Sequence, residues 1–239
     1  MKRLLFSLLL LAGCGSLLEA QTTINDPDAV RREISGFHGI EVATGIELYL
    51  TTGTTEAVAV SASSPEFREK IITEVKDGIL KIYYENKLKS INRKKESKQL
   101  RAYVSCKILN QLYVNTGAHV KVEGVLNTDM LEMKVNTGAQ VNGAVAIQAL
   151  DIKQNTGSKI VLSGKVEKLD INSDTGSKFS GDGLLAGSCN ISVSTGAVVA
   201  VHAEKQLDVK ASTGGIVRYK GTAAIREIKT SSGGSVTKI

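Results

Sequence analysis

Apolar residues recur along this chain with two periods, one nested in the other. The short period is two. In "FHGIEVATGIELYLTTG" Ile40, Val42, Ile46, Leu48 and Leu50 stand among polar neighbours, which predicts strand, turn, strand. "EAVAVSAS" and "GILKIYYE" alternate in the same way. "SPEFREKIITEV" reads instead as a helix, with Ser64 as cap, Pro65 at the first helical position and Glu66 near the positive end of the dipole.

The long period is about nineteen. Seven Thr-Gly or Ser-Gly pairs begin at Thr116, Thr137, Thr156, Thr175, Thr195, Thr213 and Ser232. The residue four before each is apolar: Leu112, Met133, Ile152, Ile171, Ile191, Val209, Ile228. So is the residue four after: Val120, Val141, Ile160, Phe179, Val199, Val217, Val236. Fixed columns at a fixed period are the mark of stacked repeats. A unit of about 19 residues holds short strands and turns but no ordinary helix with its two loops. The expected fold is all-β: a parallel β-helix or β-solenoid of about seven rungs over residues 100–239, preceded by a strand cluster with one short helix over 36–84. Period-two alternation puts the acidic column (Glu132, Asp151, Asp170, Asp208, Glu227) and a Lys-rich column two residues on (Lys134, Lys153, Lys210, Lys229) on one outward face. The lysines then offset repulsion along the stacked acids.

The Thr-Gly pair itself reads as a corner. Asn115, Asn136, Asn155, Asp174 and then serines precede it, short polar groups that bond to nearby backbone. Gly allows the positive φ of a tight turn. Seven equal copies point to scaffold, whereas catalysis needs one unusual place. Asp174, the only Asp in a column of Asn and Ser, is the local anomaly. His38, His119 and His202 are scattered, and no His, Cys and Asp cluster has metal-ligand spacing. No cofactor is expected.

Composition agrees: 23 Gly, 2 Pro, no Trp and 42% hydrophobic residues suit an aliphatic all-β core with many turns. The formal charge of +6 is local. Residues 85–99 hold Lys87, Lys89, Arg93, Lys94, Lys95 and Lys98 against Glu85 and Glu96, a net of +4. This stretch is either a solvated, dispensable hairpin loop or a contact for an anionic polysaccharide or other envelope component. Without interleaved aromatics it does not suit nucleic acid.

Residues 1–20 read as an export signal: Lys2 and Arg3, then an apolar run from Leu4 to Ala12. Two cleavage readings stay open. Leu11-Ala12-Gly13-Cys14 resembles a lipobox, which would lipidate Cys14 and anchor the chain; Ala20-Gln21 resembles an ordinary signal-peptidase site. Residues 21–35 then form an extended leader. Export places the protein in the periplasm, at the outer membrane or outside the cell, and no later stretch is apolar for long enough to be a membrane-spanning helix. Cys106 and Cys189 fall about four coils apart, too far for a disulfide, so two free thiols are expected.

"GFHGIEVATGIELYLTTG" followed by tandem "NTGA/NTGS" units resembles the exported bacterial family named for the auto-transporter adhesin, head GIN domain, common in Bacteroidota. The resemblance runs from about Gly36 to Ile239. It implies a right-handed β-helical or solenoid-like all-β fold and a non-enzymatic envelope protein acting in adhesion or interaction, and it carries over no catalytic residues. The arrangement leaves room for a homo-oligomer. A polysaccharide-active β-helix enzyme is the alternative, and it needs paired carboxylates in one pocket.

Overall fold

A computed structural model describes residues 26–85 and 97–239. The export signal, Cys14 and five of the six loop cations (Lys87, Lys89, Arg93, Lys94 and Lys95) lie outside the described residues.

The predicted solenoid is present. Each regular coil is one long bent strand running from corner to corner: β9 (His119–Val135), β10 (Gln140–Gln154), β11 (Lys159–Ser173), β12 (Lys178–Val193) and β13 (Val198–Ala211). Neighbours pair in parallel and in sequence order. The last coil is split: β14 (Ile216–Lys220) and β15 (Ala224–Thr230) both pair with β13, and β16 (Ser235–Lys238) pairs with β14.

The ladder also extends backwards past residue 100. β2 (Gly39–Val42) and β3 (Glu47–Thr52) flank an eighth corner, Thr44-Gly45, and form a coil that pairs with β8 (Gln111–Val114) and β9. The chain then leaves through β4 (Ala57–Ser61), α1 (Pro65–Glu69) and β5 (Ile71–Lys76). It returns as β6 (Ile79–Tyr84) and β7 (Arg101–Cys106), which pair with the far edges of β2 and β3. The coil order in space is therefore 79–106, then 39–52, then 111 onward. Three antiparallel strands close this end: β5 against β6, and β1 (Val30–Arg32) against β4, itself against β7.

The helix is a single turn. Ser64 caps it as expected, accepting the Phe67 N–H at 3.3 Å. It stops before Ile71 because the β-branched pair Ile71-Ile72 is drawn into β5 against Tyr84 and Tyr83.

One inward column now holds nine residues in register: Leu80, Ile40, Leu112, Met133, Ile152, Ile171, Ile191, Val209, Ile228. The first eight are at most 1% exposed, whereas Ile228 is 39% exposed because it lies in the outermost coil. Cys189 stacks between Leu169 and Leu207 as a small hydrophobe, and both cysteines are free and buried. Burial pushes the Cys106 thiol up to about 11 and that of Cys189 up to about 12, so neither forms a thiolate readily.

The corners are tighter than the sequence implies. Thr and Gly both adopt positive φ, 50° and 69° at Thr116-Gly117, and Asn115 accepts the Ala118 N–H at 3.1 Å. This is a type I′ turn. Left-handed backbone is costly for a β-branched residue, and the ladder offsets that cost. Each corner Gly N–H donates to the Thr (or Ser232) carbonyl of the next coil, from Gly45 to Thr116 at 3.0 Å through Gly214 to Ser232 at 3.1 Å.

Candidate functional site

Most of the surface repeats. On the acid and lysine face, Glu132 accepts from Tyr113 at 2.7 Å, Lys134 at 3.0 Å and Lys153 at 3.1 Å. The Tyr113 hydrogen bond, with those lysines, overcomes a smaller burial effect and holds the Glu132 carboxyl down at about 2. The lysines thus neutralise the acids as their spacing implies. Asp174 belongs to the corner ridge. Its carboxylate accepts the Thr175 N–H at 2.7 Å, as Asn155 does for Thr156 at 2.6 Å.

The repetition breaks where the 79–106 coil meets the 39–52 coil. The sequence of the 79–106 coil holds no Thr-Gly pair. Among the described residues no glycine donates to the Thr44 carbonyl, so the corner ladder stops there. Beside this gap lies an open hollow of about 600 Å³, with Thr44, Gly45, Glu47, Tyr84, Lys98 and His119 in its lining and Arg101 at its side. Of the six predicted loop cations, Lys98 is the one described, and it sits here with its ammonium 4.2 Å above the Tyr84 ring.

The strand register builds the rest. Arg101, Glu47 and His119 stand side by side on β7, β3 and β9, all outward. Two residues along, Tyr103, Tyr49 and Lys121 form a second outward row. Tyr49 and Tyr103 stack with ring centroids 5.1 Å apart and planes 13° apart, and Lys121 lies 5.2 Å over Tyr49. Arg101 is steadied by Gln99 at 3.2 Å and Asp26 at 3.5 Å. Asp26 also accepts from Ser61 at 2.6 Å and Tyr103 at 2.7 Å. The Ser61 bond leads the effects that lower its pKa; burial opposes it. At Glu47, burial raises the pKa, but the Lys121 hydrogen bond and the charges of Lys121 and Arg101 outweigh it, so the carboxyl stays below its usual range. The described lining thus pairs one held carboxylate with Lys98, Arg101 and His119, and the neighbouring outward row adds Lys121 and the aromatic pair.

Of the predicted candidates, the structure brings Lys98 to this hollow and leaves Asp174 on the distant ridge. Sequence reading missed Glu47, Arg101, His119, Tyr49 and Tyr103 as a group. One signal was available: "ATGIEL" is itself a Thr-Gly unit, with Ile40 four before Thr44 and Leu48 four after. Adding it to the alignment puts Glu47 in the His119 column. Arg101 and Tyr103 arrive from the other side through the reversed coil order, which no local pattern signals. Among the described residues no cluster of His, Cys, Asp and Glu could hold a metal ion, and no helix is long and apolar enough to cross a membrane.

A profile of the family described as "Putative auto-transporter adhesin, head GIN domain" matches residues 36–223. Three solved structures share the fold. A putative adhesin from Bacteroides fragilis is 19% identical with a TM-score of 0.71, over 89% of this chain and 97% of that one. A putative adhesin from Parabacteroides merdae is 15% identical at 0.68, over 88% and 95%. A putative lipid binding protein from Parabacteroides distasonis is 16% identical at 0.66, over 90% and 97%. At such identities the likeness is one of fold, and fold alone does not assign function. No curated protein matches the chain.

Proposed function

The chain belongs to the "Putative auto-transporter adhesin, head GIN domain" family, and from that premise we propose that it is a non-enzymatic, exported cell-envelope adhesin that binds an anionic polysaccharide at the hollow beside Thr44-Gly45. The observation that carries this reading is the break in an otherwise uniform surface. There Lys98, Arg101 and His119 line an open polar hollow, and the next outward row of the same strands carries Lys121 and the stacked rings of Tyr49 and Tyr103. Aromatic faces suit sugar rings, and the cations suit carboxylate or sulfate groups. Glu47 favours binding over hydrolysis. Glycoside hydrolysis uses two carboxyl groups, one with a raised pKa, while Glu47 is held low by its cationic neighbours and lines the hollow without a second carboxylate among the described lining residues.

The test is binding of the purified full chain to immobilised polyuronic acid and to a neutral glucan. Binding to the acidic polymer, weakened at least about tenfold between low and high salt and weakened similarly by Lys98→Ala with His119→Ala and by Tyr49→Ala, is the expected outcome. Circular dichroism checks that the variants keep the fold. Equal binding to the neutral polymer, or undiminished binding by the variants, overturns the assignment of this site.

A further inference from the structure

The two ends of the solenoid differ in how they are closed. At the residue 79–106 end, antiparallel β1, β4 and β5 cover the stack. Their outer edges are β1, only three residues long and carrying Arg31 and Arg32, and β5, whose exposed half carries Glu74 and Lys76, features that discourage further pairing. At the other end β15 pairs only with β13 and β16 only with β14 among the described residues. The outer backbone edge of β15 therefore faces solvent, as do inward-column side chains: Ile225 is 51% exposed and Ile228 39%. The equivalent residues one coil back, Leu207 and Val209, are at most 1% exposed. This end has the surface of a core cut open.

Its sequence matches itself. β15 reads Ala-Ile-Arg-Glu-Ile-Lys-Thr from Ala224. Consider a second copy brought up antiparallel by a twofold axis between Arg226 and Glu227. Arg226 then faces Glu227 of the other copy, and Glu227 faces its Arg226. Ile225 faces Ile228 on the apolar side, and the reciprocal pair repeats the contact. The irregular register between Leu207 and Asp208 puts one extra residue of β15, Arg226, into the turn of the strand. Arg226 and Glu227 consequently both lie outside the apolar side, while Ile225 and Ile228 both lie within it. A strand with opposite charges at its centre and apolar residues flanking them is complementary to its own antiparallel copy.

We infer that two copies of this chain dock end to end through β15, burying Ile225 and Ile228 and pairing Arg226 with Glu227 across a twofold axis. The closed opposite end stops propagation, so the product is a dimer and not a fibre. In that dimer the two polysaccharide hollows sit at the far ends of a doubled solenoid, an arrangement suited to bridging two surfaces. The docking itself does not rest on the binding reading.

Sedimentation of the full chain across the micromolar range tests it. The expected result is a reversible monomer–dimer equilibrium. Arg226→Glu and Glu227→Arg should each weaken the dimer about tenfold, because two symmetric contacts turn repulsive together. The double reversal, Arg226→Glu with Glu227→Arg, should restore it, since the pair then matches with signs exchanged. Ile228→Lys should abolish it while circular dichroism stays unchanged. A monomer at every concentration overturns the proposal. So does a dimer indifferent to the single reversals, or one the double reversal fails to rescue.

Discussion

The coils built on β9 to β13 and the two coils at residues 39–52 and 79–106 share one core and differ in everything outside it. In the first region sequence order is spatial order, every corner is Thr-Gly, and a mostly acidic outward column lies beside a lysine-rich one. In the second the order is reversed, one coil lacks a Thr-Gly pair in its sequence, and antiparallel strands and a helical turn are added. Yet Leu80 and Ile40 continue the column of Ile152 and Ile171 without a break. A solenoid core demands only that apolar residues recur at the right heights. The outer face is free to change wherever an insertion disturbs the repeat, and here the changed face gathers the cations, the stacked tyrosines and the hollow.

The largest effect tests whether the two regions are one core. Ile171→Ala and Leu80→Ala should each cost about 2–5 kcal/mol in unfolding free energy, since each empties a fully covered position. Ile228→Ala, in the same column but 39% exposed, should cost well under half as much. All three are read from urea or thermal melts. If Leu80→Ala costs no more than Ile228→Ala, the 79–106 coil is an appendage and the comparison fails.

The contrast also explains what the sequence could and could not reveal. Stacked residues experience the same environment coil after coil, so the inward columns and the outward acid and lysine columns are legible as a period. Free cysteines follow from the same rung arithmetic. Coil order is not local: Thr44 and Thr116 are neighbours in space because the intervening segment folds back past them, and nothing in "ATGIEL" says so. The meeting of Tyr49 with Tyr103 is hidden for the same reason. The helix, Pro65–Glu69, is shorter than its sequence implies because Ser64, Pro65 and Glu66 are start signals, which say nothing about length. Ile71 and Ile72 then obey the pairing offered by β6.

A middle-sized effect belongs to the irregular end alone. Asp26 ties the leader to the solenoid through Ser61, Tyr103 and Arg101. Asp26→Asn leaves two hydroxyls competing for a weaker acceptor and should cost about 1–2 kcal/mol at neutral pH. The sign with pH follows from the lowered pKa of Asp26 in the folded state. The folded state binds that proton less readily than the unfolded chain. The stabilisation is therefore complete above the ordinary carboxyl value of 3.8 and is lost as pH falls through the lower folded value. The variant lacks that loss, so its deficit should shrink as melts are taken from pH 6 down to pH 3. A deficit that stays constant or grows on acidification would mean that the carboxylate does not tie down the leader.

The smallest effect belongs to the regular side, at the residue whose composition makes it look special. Asp174 is the acid in a corner column of Asn and Ser, but its geometry is that of its neighbours: Oδ1 takes the Thr175 N–H as Asn155 Oδ1 takes that of Thr156. Hydrogen bonds from Thr195 and Ser194, with the Thr175 backbone, lower its pKa. At neutral pH these donors meet an anion, and an amide oxygen serves them nearly as well at an exposed corner. Asp174→Asn should change stability by no more than about 0.5 kcal/mol. The balance should tilt towards the variant below the ordinary carboxyl value of 3.8, where Asp174 begins to lose what its ionised form contributes. Binding to polyuronic acid should not change, because the corner ridge at Asp174 lies several coils from Thr44. If Asp174→Asn abolished binding while the melt stayed in place, the recognition surface would run along the regular coils, and the division between a scaffold region and a binding end would be wrong.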